Sequence, residues 1–229
     1  KNKVAINIID GDKKNEITYN KLWTDIIEIA NALQSIKINK KVVIGILSSN
    51  QYKSAALDLA CLSFGFRIIP IPLNSTKDHF SYILEEASIT HLFLGGEKAA
   101  QLWNSIEDDH KLNVIDVNNI GTIKNNPLSW DDFIDHSNET LSIQNLDRLN
   151  DQDMNKTLTI MYTSGSTSNP KGVKFSQLNI ISKRFARALA LPDISNKDTF
   201  LCYLPLFHTF GRYFELMGSL FWGATYTFA

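Results

Sequence analysis

Residues 162 to 173 read YTSGSTSNPKGV, a run of serine and threonine hydroxyls with two glycines and a proline gathered around one lysine. A polyphosphate needs backbone N–H groups aimed at its oxygens, hydroxyl donors, and a cation that leaves the approach open. Thr163, Ser164, Ser166 and Thr167 supply hydroxyls and Lys171 the charge, while Gly165 and Gly172 permit the backbone angles and close approach such a cradle requires. Pro170 has no N–H to donate and stiffens the turn. The same composition suits an ordinary solvated hairpin. Nor is the order that of the phosphate loop GxxxxGK[ST], because the lysine precedes its glycine and no helix starts directly after it. The chain contains no GxGxxG, so a dinucleotide fold is not indicated.

His208 is the second candidate. It stands among Leu206, Phe207 and Phe210, where a lone histidine is either a packed structural residue or a reacting group. Asp131, Asp132 and Asp135 read as the acidic face of a short helix, without the matching carboxylates a metal site needs. Cys61 and Cys202 lie far apart with no CxxC or histidine spacing, which argues against a disulfide framework or a zinc site and fits a reducing cytoplasm. Trp103 and Trp130 fall on expected helices and read as core.

The charge balance excludes other classes. With 23 Lys and Arg against 24 Asp and Glu, the net charge of -1 gives no global field for nucleic acid or an anionic membrane, so any anion site must be local. The 229 residues, 44% apolar, are enough to bury a core. The richest apolar stretch, 200 to 229, is broken by His208, Arg212 and Glu215, so a spanning helix is not expected.

Apolar runs alternate with helical periodicities along the first half. Thr18 caps a helix carrying Leu22, Ile26, Ala30 and Leu33. KVVIGIL (41 to 47) reads as a strand covered on both faces. Ser49 and Asn50 read as the cap of the next helix, with Gly65 as its stop. RIIPIP (67 to 72) is a strand whose prolines place its end at an edge or turn. Ser75 and Thr76 open a third helix, THLFLG (90 to 95) and LNVIDV (112 to 117) are further strands, and 118 to 156 is a surface excursion with one or two short helices. TLTIMYT (157 to 163) runs into the quoted loop and VKFS leaves it, so the loop joins two strands ahead of a helix from 177 to 189. The fold class expected is α/β, with mostly parallel sheets covered by helices.

In its order, TSGSTSNPKGV closely resembles the signature loop of the adenylate-forming (AMP-binding) superfamily, which includes acyl-CoA synthetases and fatty acyl-AMP ligases. Ser168 departs from it, standing where most members carry glycine. ITYNKLWTDIIEIANAL, KVVIGILSSNQ, the stretch from Ala56 to Ser88 and LPLFHTFGRYFELMGSLFWGAT resemble further family segments in the same order. The resemblance implies that residues 1 to 229 form the N-terminal part of the large AMP-binding domain, without the small C-terminal domain, and that this part is inactive alone.

By that resemblance, a carboxylate attacks the α-phosphorus of ATP with Mg2+ present, and the acyl group then passes to the thiol of coenzyme A. Thr163, Ser164, Gly165, Ser166, Thr167, Lys171 and Gly172 would hold the phosphates. His208 would border the acyl carboxylate and the path of the thiol. The apolar residues from Phe200 on suggest a medium- or long-chain fatty acid, with Phe210 and Arg212 bordering its pocket, although core packing accounts for them equally. An acyl carrier protein is the alternative acceptor, and a non-enzymatic nucleotide-binding module the alternative to a ligase. No nucleic acid partner is expected; peripheral membrane association is left open. An apolar, unpaired edge is expected beside residues 200 to 229, and with it self-association.

Overall fold

The computed structural model describes residues 2–36, 42–107, 111–136, 153–163 and 169–229. The chain opens with a hairpin of β1 (Val4–Asp10) and β2 (Lys13–Thr18). Thr18 then caps α1 (Tyr19–Ser35), its side chain accepting from the Lys21 N–H at 3.2 Å. Strand β3 (Val43–Ser48) is buried along nearly its whole length, as its uninterrupted apolar run requires. Helix α2 (Tyr52–Phe64) ends at Gly65, whose φ of 75° provides the left-handed stop. The series continues through β4 (Arg67–Pro70), α3 (Lys77–Glu86), β5 (His91–Gly95), α4 (Glu97–Ser105) and β6 (Asn113–Asp116). A two-residue strand β7 (Leu128–Ser129) and the short helix α5 (Trp130–Asp135) follow.

Strands β8 (Thr157–Thr163) and β9 (Lys171–Ser176) form an antiparallel pair, and α6 (Gln177–Ala190) follows behind a Ser176–Asn179 capping box. Beyond β10 (Thr199–Leu201), a π-helical segment (Phe210–Leu216) runs into α7 (Met217–Trp222), and β11 (Thr225–Phe228) comes last. Seven strands lie in the order β7-β6-β5-β3-β4-β8-β9, parallel except at β9. The other four lie in the order β10-β11-β1-β2, parallel except at β2. The α/β class with mostly parallel sheets is therefore as expected, and Trp103 and Trp130 are core residues. No helix among the described residues is long and apolar enough to cross a membrane.

Strand β4 is interior, between β3 and β8, and ends at Pro70 ahead of the turn at Leu73 and Asn74, as its prolines imply; Ile71 then donates to the Ile46 carbonyl. Two expectations are corrected. Helix α2 is N-capped by Gln51 without a side-chain bond, because Asn50 is engaged elsewhere. The strand at ATYTFA is interior: Tyr226, Thr227 and Phe228 pair with Ile6, Asn7 and Ile8, and β10 lies on its other side as the outer strand of the sheet. The hairpin that supplies this partner lies more than 200 residues away and its polar β2 gives no apolar alternation to read.

The second correction concerns Arg212, expected at the margin of a pocket. It is fully buried, and its guanidinium grips Asp58 of α2 by both oxygens, Nε to Oδ2 at 2.7 Å and Nη2 to Oδ1 at 2.5 Å. Nη1 donates to the Thr159 hydroxyl of β8 at 2.8 Å and to the Tyr213 hydroxyl at 3.2 Å. Burial pulls its pKa down, but the Asp58 carboxylate outweighs that and raises it above the ordinary guanidinium value. Replacing Asp58 with Ala strands a buried cation and is expected to cost about 3–5 kcal/mol in urea unfolding, whereas the double change Asp58→Leu with Arg212→Met is expected to recover most of that loss.

Candidate functional site

Thr163 and Lys171 are directly opposed partners at the open end of the β8–β9 ladder, so they bracket the intervening loop. The Thr163 hydroxyl donates to the Lys171 carbonyl at 3.3 Å. Both residues are exposed, and among the described residues the Lys171 ammonium has no ion-pair partner. Ser164, Gly165, Ser166 and Thr167 lie outside the described residues, as does Ser168.

Gly172 sits opposite Tyr162 in the ladder. A Cβ there would fall 2.7 Å from Ile160 Cγ2 and 3.3 Å from the Tyr162 ring, so the position needs glycine for close approach. The backbone stays in ordinary strand conformation, and Gly172 is absent from the positive-φ residues. Tyr162 cannot move aside readily, since its ring is buried and its hydroxyl donates to the Glu86 carboxylate of α3. Burial, and then the Glu86 carboxylate, push its pKa above the usual phenol value. The base of the loop is thus fixed to the sheet and to α3.

His208 is exposed, but its backbone is held on both sides. Its N–H donates to the Pro205 carbonyl and its own carbonyl accepts from the Arg212 N–H, each at 2.9 Å. The ring lies near-parallel to Phe210, 24° between planes, and Nδ1 accepts from the Phe210 N–H at 3.3 Å. In that neutral arrangement the proton is on Nε2, leaving a donor directed away from the backbone.

The residue that sets this segment in place was not legible as a site residue. Asn50, in the turn between β3 and α2, donates to Cys202 Sγ at 3.2 Å and the Leu204 carbonyl at 3.0 Å, and accepts from the Leu206 N–H at 2.9 Å. Glu215 accepts from the Leu204 N–H at 3.2 Å, and the π-helical segment presses so close that a Cβ on Gly211 would fall 2.5 Å from the Pro205 carbonyl oxygen. The only hint in the sequence was the polar turn SSNQ at the carboxyl end of a buried parallel strand, where α/β sheets hold their ligands. A cleft lined by Ser48, Ser49, Ser54, Asp58, Leu206 and Phe207 opens at that turn. Among the described residues no three His, Cys, Asp or Glu side chains gather as a metal site; Asp131, Asp132 and Asp135 lie on the short helix α5.

The AMP-binding enzyme family matches the chain over residues 1–229. The chain belongs to that family. It is 29% identical over 221 residues to the 2-succinylbenzoate–CoA ligase of Bacillus pumilus, covering 96% of this chain and 40% of the relative. It is 28% identical over 207 residues to the long-chain-fatty-acid–CoA ligase ACSBG2 of Rattus norvegicus, covering 87% of this chain and 31% of the relative. Among solved structures, the O-succinylbenzoate coenzyme A synthetase of Bacillus subtilis in complex with ATP and magnesium shares the fold, at a TM-score of 0.75 and 22% identity, over 99% of this chain and 42% of that one. The chain therefore spans well under half the length of these relatives.

Within this AMP-binding chain, Asn50 ties the first sheet to the segment carrying His208. Asn50→Ala is expected to speed hydrogen exchange of the Leu206 amide by about fivefold, a net bond being worth about 1 kcal/mol, while amides of β3 exchange as before.

Proposed function

We propose that the complete gene product is an acid–thiol ligase that activates a carboxylic acid with ATP and transfers the acyl group to coenzyme A. A carboxylate oxygen bonds to the α-phosphorus and the bond to pyrophosphate breaks, giving acyl-AMP. The thiol sulfur then bonds to the acyl carbon, its proton is lost, and AMP leaves. The observation that supports this reading best is the pairing of Thr163 with an exposed Lys171, which has no ion-pair partner among the described residues, at the mouth of the β8–β9 hairpin in a chain of the AMP-binding family.

Each chain group has a physical task. Lys171 and the Thr163 hydroxyl offset phosphate charge, with Ser164, Gly165, Ser166 and Thr167 completing the loop and Gly172 letting β9 lie against Tyr162. A magnesium ion here would be held chiefly by the nucleotide phosphates, since the described residues gather no carboxylate cluster of their own. The ion supplies charge neutralisation on the phosphates when bound. His208, with Nδ1 occupied, directs an Nε2 donor toward a carboxylate or phosphate oxygen.

The acid has an apolar body, for which the exposed ring of Phe210, with Phe214 and Trp222 behind it, forms a wall. A medium- or long-chain fatty acid is one acid of that kind. Coenzyme A is the proposed acceptor because curated relatives in both acid classes are CoA ligases.

Pyrophosphate exchange driven by a panel of carboxylic acids tests the first step, and thioester formation with coenzyme A against a pantetheinylated carrier protein tests the second. Lys171→Ala is expected to lower exchange by roughly tenfold to a hundredfold, as loss of a charge-assisted bond implies; unchanged kinetics would remove Lys171 from the phosphate site. His208→Ala is expected to lower acyl-AMP formation or thioester transfer by about tenfold at an unaltered melting temperature, and a parallel loss of stability would make the residue structural.

A further inference from the structure

Helix α6 has one buried residue, and it is an arginine. Arg184 is 8% exposed, with its guanidinium 5.8 Å from the centre of the Tyr213 ring. A second buried guanidinium, that of Arg212, lies 5.2 Å from the same ring. The two cations differ in their partners. Arg212 has both oxygens of Asp58 and two hydroxyls. Arg184 has buried Nε and Nη1 atoms without any hydrogen-bond partner, and no described carboxylate forms an ion pair with it.

The surroundings deepen this imbalance. Arg187, one turn further along α6, lies over the rings of Phe210 and Phe214 at 5.7 and 5.2 Å. Burial first, and then the Arg187 charge, pull the Arg184 pKa below the ordinary guanidinium value, although an arginine remains charged at neutral pH. A buried ion is tolerated when an opposite charge completes its hydrogen bonds. The planar fork of a guanidinium is matched by a carboxylate.

We propose that Arg184 is a specificity-determining residue that receives a second carboxylate of the acid substrate, so that the acid bears an anionic group in addition to the one that reacts. This rests on the acid-activating reading above. Arg187, three residues on from Arg184, lies over Phe210, and Phe210 stacks at 6.4 Å on His208. The aromatic wall then receives the apolar body between the two carboxylates. A simple fatty acid would leave the Arg184 donors unmet, whereas an α,ω-dicarboxylic acid or a carboxyaryl acid would meet them. Phosphate is the other oxyanion that fits a guanidinium, and its source would be the nucleotide.

Matched acids distinguish these cases. Pyrophosphate exchange by the complete gene product is measured with straight-chain monocarboxylic acids and their α,ω-dicarboxylic counterparts, and with benzoic acids with and without a second carboxylate. The wild type is expected to favour the second carboxylate by at least about tenfold in kcat/KM, and Arg184→Met to lose that preference while exchange with the monocarboxylic acids stays within about threefold. Arg184→Lys, which keeps the charge without the fork, is expected to retain part of the preference. A wild type that favours the monocarboxylic acids, or an Arg184→Met variant that loses both acid types equally, overturns the proposal. So does a variant whose only change is a raised KM for ATP, since that would place phosphate at Arg184. If Arg184→Met does not fold, the wild type and Arg184→Lys decide by the same criterion. Exchange with no acid at all removes the acid-activating reading and this proposal together, whereas exchange that is indifferent to the second carboxylate removes this proposal alone.

Discussion

The Asp58–Arg212 pair is the constraint on which the rest of the arrangement depends. Two charges taken from water must satisfy one another closely, and here two bonds to the carboxylate and two to hydroxyls do so. The four residues come from three elements: Asp58 from α2, Thr159 from β8, Arg212 and Tyr213 from the π-helical segment. The geometry of the pair therefore fixes the seven-stranded sheet, its covering helix and the last third of the chain relative to one another. Because the Arg212 N–H also holds the His208 carbonyl, and β8 leads from Thr159 to Thr163, both halves of the candidate site take their positions from this one interaction.

The π-helical segment makes that double use possible. Met217 donates to the Arg212 carbonyl five residues back, one residue more than an α-helical turn takes. Arg212, Tyr213 and Leu216 face inward, while Phe210 is exposed on the other side. Gly211, without a Cβ, lets the segment lie on the carbonyls of Leu204 and Pro205. Seven residues thus supply a structural clamp on one face and an aromatic wall on the other.

Much of the fold was legible because it is written in local signals. Buried parallel strands such as β3 are unbroken apolar runs, Thr18 and Thr76 cap the helices they precede, and Gly65 ends α2. The loop between Thr163 and Lys171 could be read as a strand-to-strand connection from the β-branched and aromatic residues on either side of it. What was not legible depends on distance along the chain. Asp58 and Arg212 are 154 residues apart, and neither type signals a partner by itself. Asn50 looked like a cap because an asparagine before a helix usually is one; its amide is instead taken by a segment more than 150 residues downstream. The hairpin of β1 and β2 was missed for a related reason, since β1 finds its apolar neighbour in β11 at the far end of the sequence.

The apolar tail shows why composition misjudges a binding surface. From the sequence, Leu216, Met217, Phe214 and Trp222 suited an acyl tunnel or a core equally, and Arg212 seemed a polar residue at its margin. In the fold, Leu216 and Met217 belong to the core, Phe214 and Trp222 pack on Phe200, and Arg212 is fully buried. The arginine packed on Tyr213 comes from α6, whose sequence QLNIISKRFARALA looks like an ordinary amphipathic helix with its charges in water. Instead Leu189, at 84% exposure, and Phe185, at 57%, are turned out and Arg184 is turned in. Inverting the usual order costs hydrophobic burial on one side and charge desolvation on the other. A helix bearing both costs around a single guanidinium is better explained by an anion that completes it than by packing.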